Sequence, residues 1–120
     1  RGRDTMNDPF SEATWRLVEW HCDDGHGWLR VPLELVPDGL NISEYSYRDS
    51  EFAYLEEDCD AGTWIESWQA GSPIDNLDRL TQLHGSIDNV PNVCHAGGAF
   101  IRRLEHWRNP NYASPFRTGT

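Results

Sequence analysis

The sequence lacks lysine and long apolar runs, and both shortages exclude classes of protein. All ten basic residues are arginine, against twenty acids, which gives a net charge of −10. A chain this acidic repels phosphate backbones, so direct nucleic-acid binding is not expected. No stretch approaches the roughly 18–20 apolar residues of a membrane-spanning helix, and residues 1–4 are not followed by a signal-peptide-like apolar segment. We therefore expect a cytoplasmic protein without a membrane partner.

Cysteine is also scarce, with Cys22, Cys59 and Cys94 spaced about 35 residues apart. Three cysteines cannot all pair within one chain, and the spacing is unlike the dense frameworks of small secreted domains. We expect free thiols in a reducing compartment. The chain also contains no CxxC, HExxH, GxxxxGK, GxGxxG or GxSxG sequence, so no standard zinc, nucleotide or hydrolase motif is present.

Aromatic residues, in contrast, are abundant. The 120 residues include six tryptophans, four tyrosines and four phenylalanines. Each can bury about 150–250 Å², which favours one folded domain over a disordered acidic chain. We expect this domain to span residues 13–108, between a flexible N-terminus at 1–12 and a flexible tail at 109–120 that contains prolines and glycine.

Two β-hairpins are predicted in the first half of the domain. Residues 14–22 (TWRLVEWHC) are rich in strand-forming residues, and residues 28–31 follow a glycine-containing turn. The second hairpin joins residues 45–47 to 52–54 and places Tyr45, Tyr47, Phe52 and Tyr54 on one face. A fifth strand at 89–94 would lie at an edge, since Pro91 cannot donate to a central ladder.

Two or three helices are predicted in the second half. The first follows Asp58 or Asp60, and the second is capped by Ser72 with Pro73 at its first position and Gly85 at its end. Residues 99–107 have helical spacing, with a strand as the alternative. The fold is therefore predicted as α+β, an antiparallel sheet of four to five strands with helices on one face. The residues expected on the buried helix stripes are Ala61, Trp64, Ile65, Trp68, Ile74, Leu77, Leu80 and His84.

The acids are concentrated early in the chain. Residues 1–88 carry nineteen acids and six arginines, whereas residues 89–120 carry one acid and four arginines. Eight acids fall within residues 44–66, where Arg48 is the one base. Carboxylates at this density repel one another unless a cation meets them, so they predict a docking surface for a basic protein. Its predicted contact residues are Glu44, Asp49, Glu51, Glu56, Glu57, Asp58 and Asp60.

A structural interpretation competes with docking. Exposed acids keep a surface solvated, and acids in the first turn of a helix stabilise it by about 0.3–1 kcal/mol each. The arginines at 102, 103 and 108 are expected to pair within the domain with the acidic segment around Glu56, and the alternative is that they bind a phosphate.

A second candidate site is a metal centre. Imidazole and thiol side chains crowd one predicted turn and recur at residues 94–95, and together they could form a tetrahedral zinc site. The alternative is that the turn residues bond only to their own backbone. The candidate ligands are His21, Cys22, His26, Cys94 and His95.

Three segments carry a resemblance. Residues 26–32 (HGWLRVP), 45–47 (YSY) and 54–60 (YLEEDCD) resemble small acidic proteins of phages, plasmids and their bacterial hosts. The resemblance covers less than a third of the chain. It implies an origin on a mobile element and a location in the host cytosol, with a role of the anti-CRISPR or anti-restriction type. It brings no catalytic residues.

The leading hypothesis is that the chain is a non-enzymatic acidic binding protein. It would inhibit a host nucleic-acid-processing complex by presenting its negatively charged surface to a basic surface of that complex. The first alternative is a small zinc-binding domain or metal-dependent enzyme. The second is a structural accessory subunit that buries exposed tryptophans in a homo-oligomer. The leading hypothesis requires no cofactor.

Overall fold

The structure, a computed structural model, describes residues 11–67, 75–96 and 100–108. Within these ranges the chain has an α+β fold with three α-helices and six strands. Single 3₁₀ turns occur at Leu33–Leu35, Ile87–Asn89 and Phe100–Arg103. The helices are α1 (Glu12–Trp15), α2 (Asp60–Ile65) and α3 (Asn76–His84), and the strands are β1 (Glu19–Cys22), β2 (Gly27–Pro32), β3 (Tyr47–Arg48), β4 (Phe52–Glu56), β5 (Asn92–Cys94) and β6 (Glu105–His106).

The six strands form one mixed sheet in the order β5-β1-β2-β4-β3-β6. All pairs are antiparallel except β1 with β5, which is parallel. The predicted α+β class is confirmed, but the prediction of four to five antiparallel strands is wrong. The chain passes through α2 and α3 before β5, and a long crossover of this kind allows a parallel pairing that a hairpin cannot make.

Side chains alternate between two differently covered faces of the sheet. On one face, Leu29 and Leu55 pair across β2 and β4 and pack in a buried core with residues from all three helices. On the other face, Trp28 and Tyr54 pack with Ile101 from the last 3₁₀ turn. The helix residues of the first core include Trp15, Ala61, Trp64 and Leu80.

The N-terminal part of the first predicted strand is a helix. Residues 14–22 were expected to be extended, but α1 occupies the start of that range and β1 begins only at Glu19. Ser11 caps α1 by accepting a hydrogen bond from the Thr14 backbone N–H, and Arg16 pairs with Glu12 one turn earlier at 2.6 Å. A side-chain cap and an i,i+4 ion pair therefore override the strand propensity of this segment.

The second helix stripe also differs from its prediction. The N-cap of α3 is Asp75, whose carboxylate accepts from the Asp78 N–H, and Gly85 ends the helix at a φ of +92° as predicted. Leu80 is fully buried, but Leu77 is 40% exposed and is not part of the core. The predicted cap Ser72 and the residues Trp68, Pro73 and Ile74 lie outside the described ranges.

The C-terminal segment is not the predicted helix at residues 99–107. A 3₁₀ turn leads into β6, which pairs with β3, and the Trp107 N–H donates to the Ser46 carbonyl at 2.7 Å. The strand predicted at 89–94 is shorter than expected but lies at the predicted edge of the sheet. The predicted flexible ends lie outside the described residues, apart from Ser11 and Glu12 at the start of α1.

Candidate functional site

Four acidic residues lie at one end of the sheet, which we call the acidic end and define as Glu44, Glu56, Glu57 and Asp58. Three of these residues end β4 and enter the turn before α2. The segment containing Glu44 is held against this turn because the Ser46 hydroxyl accepts from the Glu56 N–H at 2.8 Å. Glu44, Glu57 and Asp58 are exposed and Glu56 is half-buried.

No cation in the described ranges forms an ion pair with these four carboxylates. Burial raises the pKa of Glu56, and the neighbouring carboxylates of Asp58 and Asp60 raise it further, although the Asp58 backbone N–H opposes them. A raised pKa of a carboxyl group means that the charged form is destabilised where it stands. The acidic end is therefore a site of incompletely compensated negative charge.

The backbone fixes the position of Glu57. Its N–H donates to the Gly27 carbonyl at 3.0 Å, beside the first hairpin. Its carboxylate lies over Gly27, where a β-carbon would collide with it. The absence of a side chain at Gly27 therefore leaves the space that the Glu57 carboxylate occupies.

Asp60, predicted as a contact residue, is instead part of the interior. It is 1% exposed, and its Oδ2 accepts from the Ser43 N–H at 3.1 Å, the Ser43 hydroxyl at 2.5 Å and the Ser46 hydroxyl at 2.6 Å. These bonds satisfy the carboxylate within the fold. Asp60 thus ties the segment before β3 to the start of α2 and presents no surface to a partner.

Asp49 and Glu51 lie at the opposite end of the second hairpin. Asp49 shapes the turn, because its Oδ1 accepts from the N–H groups of Glu51 and Phe52 at 2.8 Å each. The four-residue step along β4 from Phe52 to Glu56 spans about 13 Å. The predicted acidic surface is therefore split between the two ends of the second hairpin. Of its seven residues, only the four of the acidic end lie at the same end and on the surface.

A groove that no sequence pattern predicts adjoins the acidic end. It is lined by Glu44, Tyr45, His106 and Arg108. His106 Nδ1 lies 2.7 Å from the Glu44 carbonyl, where it donates a hydrogen bond that connects β6 to this segment. Tyr45 was expected in a strand beside Tyr47, but it precedes β3 and is 77% exposed. An aromatic ring thus stands free beside the acidic end.

A second polar cluster centres on His21, on the opposite sheet face from the helices. His21 Nε2 lies 2.9 Å from Glu19 Oε1, and its Nδ1 lies 2.9 Å from His95 Nε2. The two imidazoles stack with centroids 5.2 Å apart, and the rings of Tyr54 and Phe100 meet His21 edge-on. The carboxylate–imidazole–imidazole chain can hold and pass a proton, but in the described ranges no hydroxyl or thiol is hydrogen-bonded to either imidazole.

The five candidate metal ligands do not converge. His21 and His95 face one side of the sheet, whereas Cys22, the next residue after His21, faces the other side with Cys94 because strand side chains alternate. His26 instead contacts Arg102, at 2.6 Å. In the ranges that the structure describes, no group of three or more His, Cys, Asp or Glu side chains is arranged to hold a metal ion.

The first hairpin turn is stabilised by its own residues. Asp23 Oδ1 accepts from the N–H groups of Gly25 and His26 at 3.0 and 2.9 Å. Its Oδ2 accepts from Arg102 Nε at 2.6 Å. Arg102 therefore pairs within the domain as predicted for the C-terminal arginines, but with this turn and not with the acidic segment around Glu56.

The histidine cluster makes the stability of the fold depend on pH. Burial lowers the pKa of His21 below its usual 6.5, and the contacts with Glu19 only partly oppose this effect. Below about pH 6.5 the unfolded chain therefore binds a proton that the folded chain resists. We expect the free energy of unfolding to be highest above this pH and to fall as the pH drops towards the lowered value.

The variant His21→Gln tests this dependence. Urea unfolding of the variant on both sides of pH 6.5 should show a smaller loss of stability on acidification than the wild-type protein shows. His106→Gln, which replaces an exposed histidine outside the cluster, should lose as much stability on acidification as the wild-type protein. Equal losses of stability on acidification in the wild type and in His21→Gln would contradict the assignment of this pH dependence to His21.

Comparisons with known proteins gave no match: no family model, curated protein or solved structure shows significant similarity to this chain. Among the described residues, no helix combines the length and apolar character needed to cross a membrane.

Proposed function

We propose that this domain is a non-enzymatic binding protein whose acidic end docks on a basic surface of a partner protein. The observation that carries the proposal is that four carboxylates without a cation partner in the described ranges stand beside an exposed aromatic ring, that of Tyr45. Tyrosine is one of the residues that contribute most to binding at protein interfaces. An aromatic anchor with a charged surround is therefore a surface suited to protein recognition.

The negative charge of the acidic end determines that the contact surface of the partner is positively charged. Clustered like charges destabilise the free domain, and a cationic surface that meets them relieves this repulsion. The same field accelerates encounter with a basic partner and disfavours acidic ones. The energetic cost at Glu56, whose pKa is raised by burial and by its acidic neighbours, is then offset in the complex.

The partner class that fits this surface is a protein that itself binds nucleic acid. Such proteins carry clustered Lys and Arg that neutralise phosphates, and a carboxylate surface can occupy that groove in place of the phosphate backbone. The resemblance of three segments to proteins of mobile elements favours a host nucleic-acid-processing complex as the target. Inhibition then follows from competition for the groove.

The test is charge reversal at the acidic end with a matched control. Wild-type protein, Glu56→Lys/Glu57→Lys and Glu34→Lys/Asp38→Lys are immobilised and used to capture proteins from a bacterial lysate. The control pair is exposed and changes the net charge equally, but it follows the far end of β2, at the other end of the sheet. The protein captured by wild type is then purified and its dissociation constant for each variant is measured.

We expect Glu56→Lys/Glu57→Lys to weaken binding by at least about 100-fold, because each close charge pair at an interface contributes several kcal/mol. The control pair should change the affinity by less than about threefold, since distant charges are screened beyond roughly 8–10 Å. Equal losses of affinity in both variants would show dependence on net charge alone and overturn the assignment of the site.

The oligomeric state tests the accessory-subunit alternative. A native molecular mass of the purified protein that rises with concentration would favour that alternative.

A further inference from the structure

Two of the three cysteines are brought together across parallel strands. Cys22 ends β1 and Cys94 ends β5, and they are direct partners in the parallel register. Their side chains point to the same side of the sheet, and their Sγ atoms lie 2.8 Å apart, although the residues are separated by 72 positions in the chain. Cys59 is at the N-cap of α2, in a different part of the fold.

The backbone geometry at this pair suits a disulfide. Neighbouring strands lie about 4.7–4.9 Å apart, and the Cα atoms of disulfide-bonded cysteines are usually about 4.4–6.8 Å apart. A disulfide has an S–S distance of about 2.0 Å, so closure requires the two sulfurs to approach by less than 1 Å. Both residues carry free thiols in this structure.

The pair is also accessible. β5 is the edge strand of the sheet, and Cys94 is exposed while Cys22 is half-buried. A small disulfide-containing molecule can reach the Cys94 sulfur from solvent. Cys22, which lies behind it on β1, is positioned to attack whatever is attached there.

We propose that Cys22 and Cys94 form a redox-active dithiol that closes into a disulfide between β1 and β5 by exchange with a small-molecule disulfide such as oxidised glutathione. The Cys94 thiolate attacks one sulfur of the oxidant, which forms a mixed disulfide and releases one glutathione thiolate. The Cys22 thiolate then attacks Cys94 Sγ and releases the second. One oxidant is reduced to two thiols, and the two protein thiols, having lost two protons, become one disulfide.

Hydrogen bonding, burial and nearby carboxylates at the cysteine pair affect the rate of this exchange. The hydrogen bond to Cys94 raises the pKa of Cys22 to about 11, with smaller contributions from burial and from the carboxylates of Asp23 and Glu57. The Cys22 thiol therefore stays protonated at neutral pH, and oxidation of the pair should accelerate as the pH rises, because the thiolate is the attacking species.

Closure has a structural consequence. The disulfide would join two segments that are 72 positions apart, and a cross-link over a loop of this length stabilises by restricting the unfolded chain. It would also fix the edge strand to β1, with which it pairs at three register positions. This inference stands on the geometry of the cysteine pair and is independent of the proposed binding function.

The test is equilibration of the wild-type protein with oxidised glutathione, followed by alkylation, intact mass measurement and peptide mapping. We expect the pair to lose two hydrogen masses, a peptide that links Cys22 to Cys94, and Cys59 either as an alkylatable thiol or as a glutathione mixed disulfide. The thermal midpoint should rise by about 10 °C and return after treatment with dithiothreitol. The variants Cys22→Ser and Cys94→Ser should each show no such rise.

The same experiment can overturn the proposal without any variant. A stable glutathione adduct at Cys94 in the wild-type protein would show that Cys22 cannot complete the exchange. Three alkylatable thiols after equilibration, or a disulfide that joins Cys59 to Cys22 or to Cys94, would equally contradict it. The variant Cys59→Ser should behave as the wild type does, and a failure of this variant to oxidise would also count against the pair.

Discussion

Replacing Asp60 by alanine is expected to lower the free energy of unfolding by about 3–5 kcal/mol, a large part of the 5–15 kcal/mol of a typical domain. The carboxylate is 1% exposed and accepts three hydrogen bonds from Ser43 and Ser46. Alanine would leave the buried Ser46 hydroxyl and the two part-buried donors of Ser43 without this acceptor, and each fully buried loss costs roughly 1–3 kcal/mol. Urea unfolding followed by circular dichroism should show a lower midpoint with an unchanged slope.

A second substitution at position 60 separates the charge of Asp60 from its hydrogen bonds, and a substitution at Asp58 provides an exposed control. Asp60→Asn keeps the shape and one acceptor oxygen but removes the charge, so it should cost about 1–3 kcal/mol. Asp58→Ala, two residues earlier and exposed, should change stability by less than about 0.5 kcal/mol. If Asp60→Ala is no more costly than Asp58→Ala, the buried network does not hold the acidic end in place.

The role of Asp60 also shows why the site could be predicted only in part. The density of charge within residues 44–66 predicts a docking surface, but it does not distinguish an exposed carboxylate from one whose oxygen accepts hydrogen bonds inside the fold. Asp60 accepts from two serines 14 and 17 positions away. Asp49 bonds its own turn. Only the contacts of each carboxylate decide which acids remain for a partner.

Strand alternation explains what was missed elsewhere. Glu19 and His21 are two positions apart and share one face of β1, whereas adjacent His21 and Cys22 do not. Proximity in sequence therefore suggested a zinc site that the geometry does not form, and it concealed the pairing of Cys22 with Cys94. That pairing depends on a parallel crossover, which no local pattern specifies.

Local patterns succeeded where a single feature dominates. Gly85 ends α3 because glycine readily adopts the positive φ found there, and Pro91 directly precedes β5 at the sheet edge because proline has no N–H to donate to a central ladder. They failed where tertiary contacts compete with propensity. Residues 99–107 have helical spacing, yet the described part from Phe100 onwards forms a turn and a strand, and the Trp107 N–H donates to the Ser46 carbonyl.

Replacing Trp64 by alanine is the second change from which we expect a large effect, a loss of about 3–5 kcal/mol. The ring is fully buried and lies 6.1 Å from the Trp15 ring, centroid to centroid. Its Nε1–H donates to the Leu35 carbonyl at 2.9 Å, and its own carbonyl accepts from Asn76 Nδ2 at 2.7 Å. The side chain thus joins α1, α2 and the turn after β2, while its backbone anchors α3.

Partial replacement should separate packing from hydrogen bonding. Trp64→Phe retains most of the ring but leaves the Leu35 carbonyl without its donor, so we expect a loss of about 1–3 kcal/mol by urea unfolding. Leu77→Ala provides the control: the helical pattern placed Leu77 in the core, but it is 40% exposed and should cost less than about 1 kcal/mol. A loss at Leu77 as large as that at Trp64 would mean that α3 packs by the face that its sequence predicted.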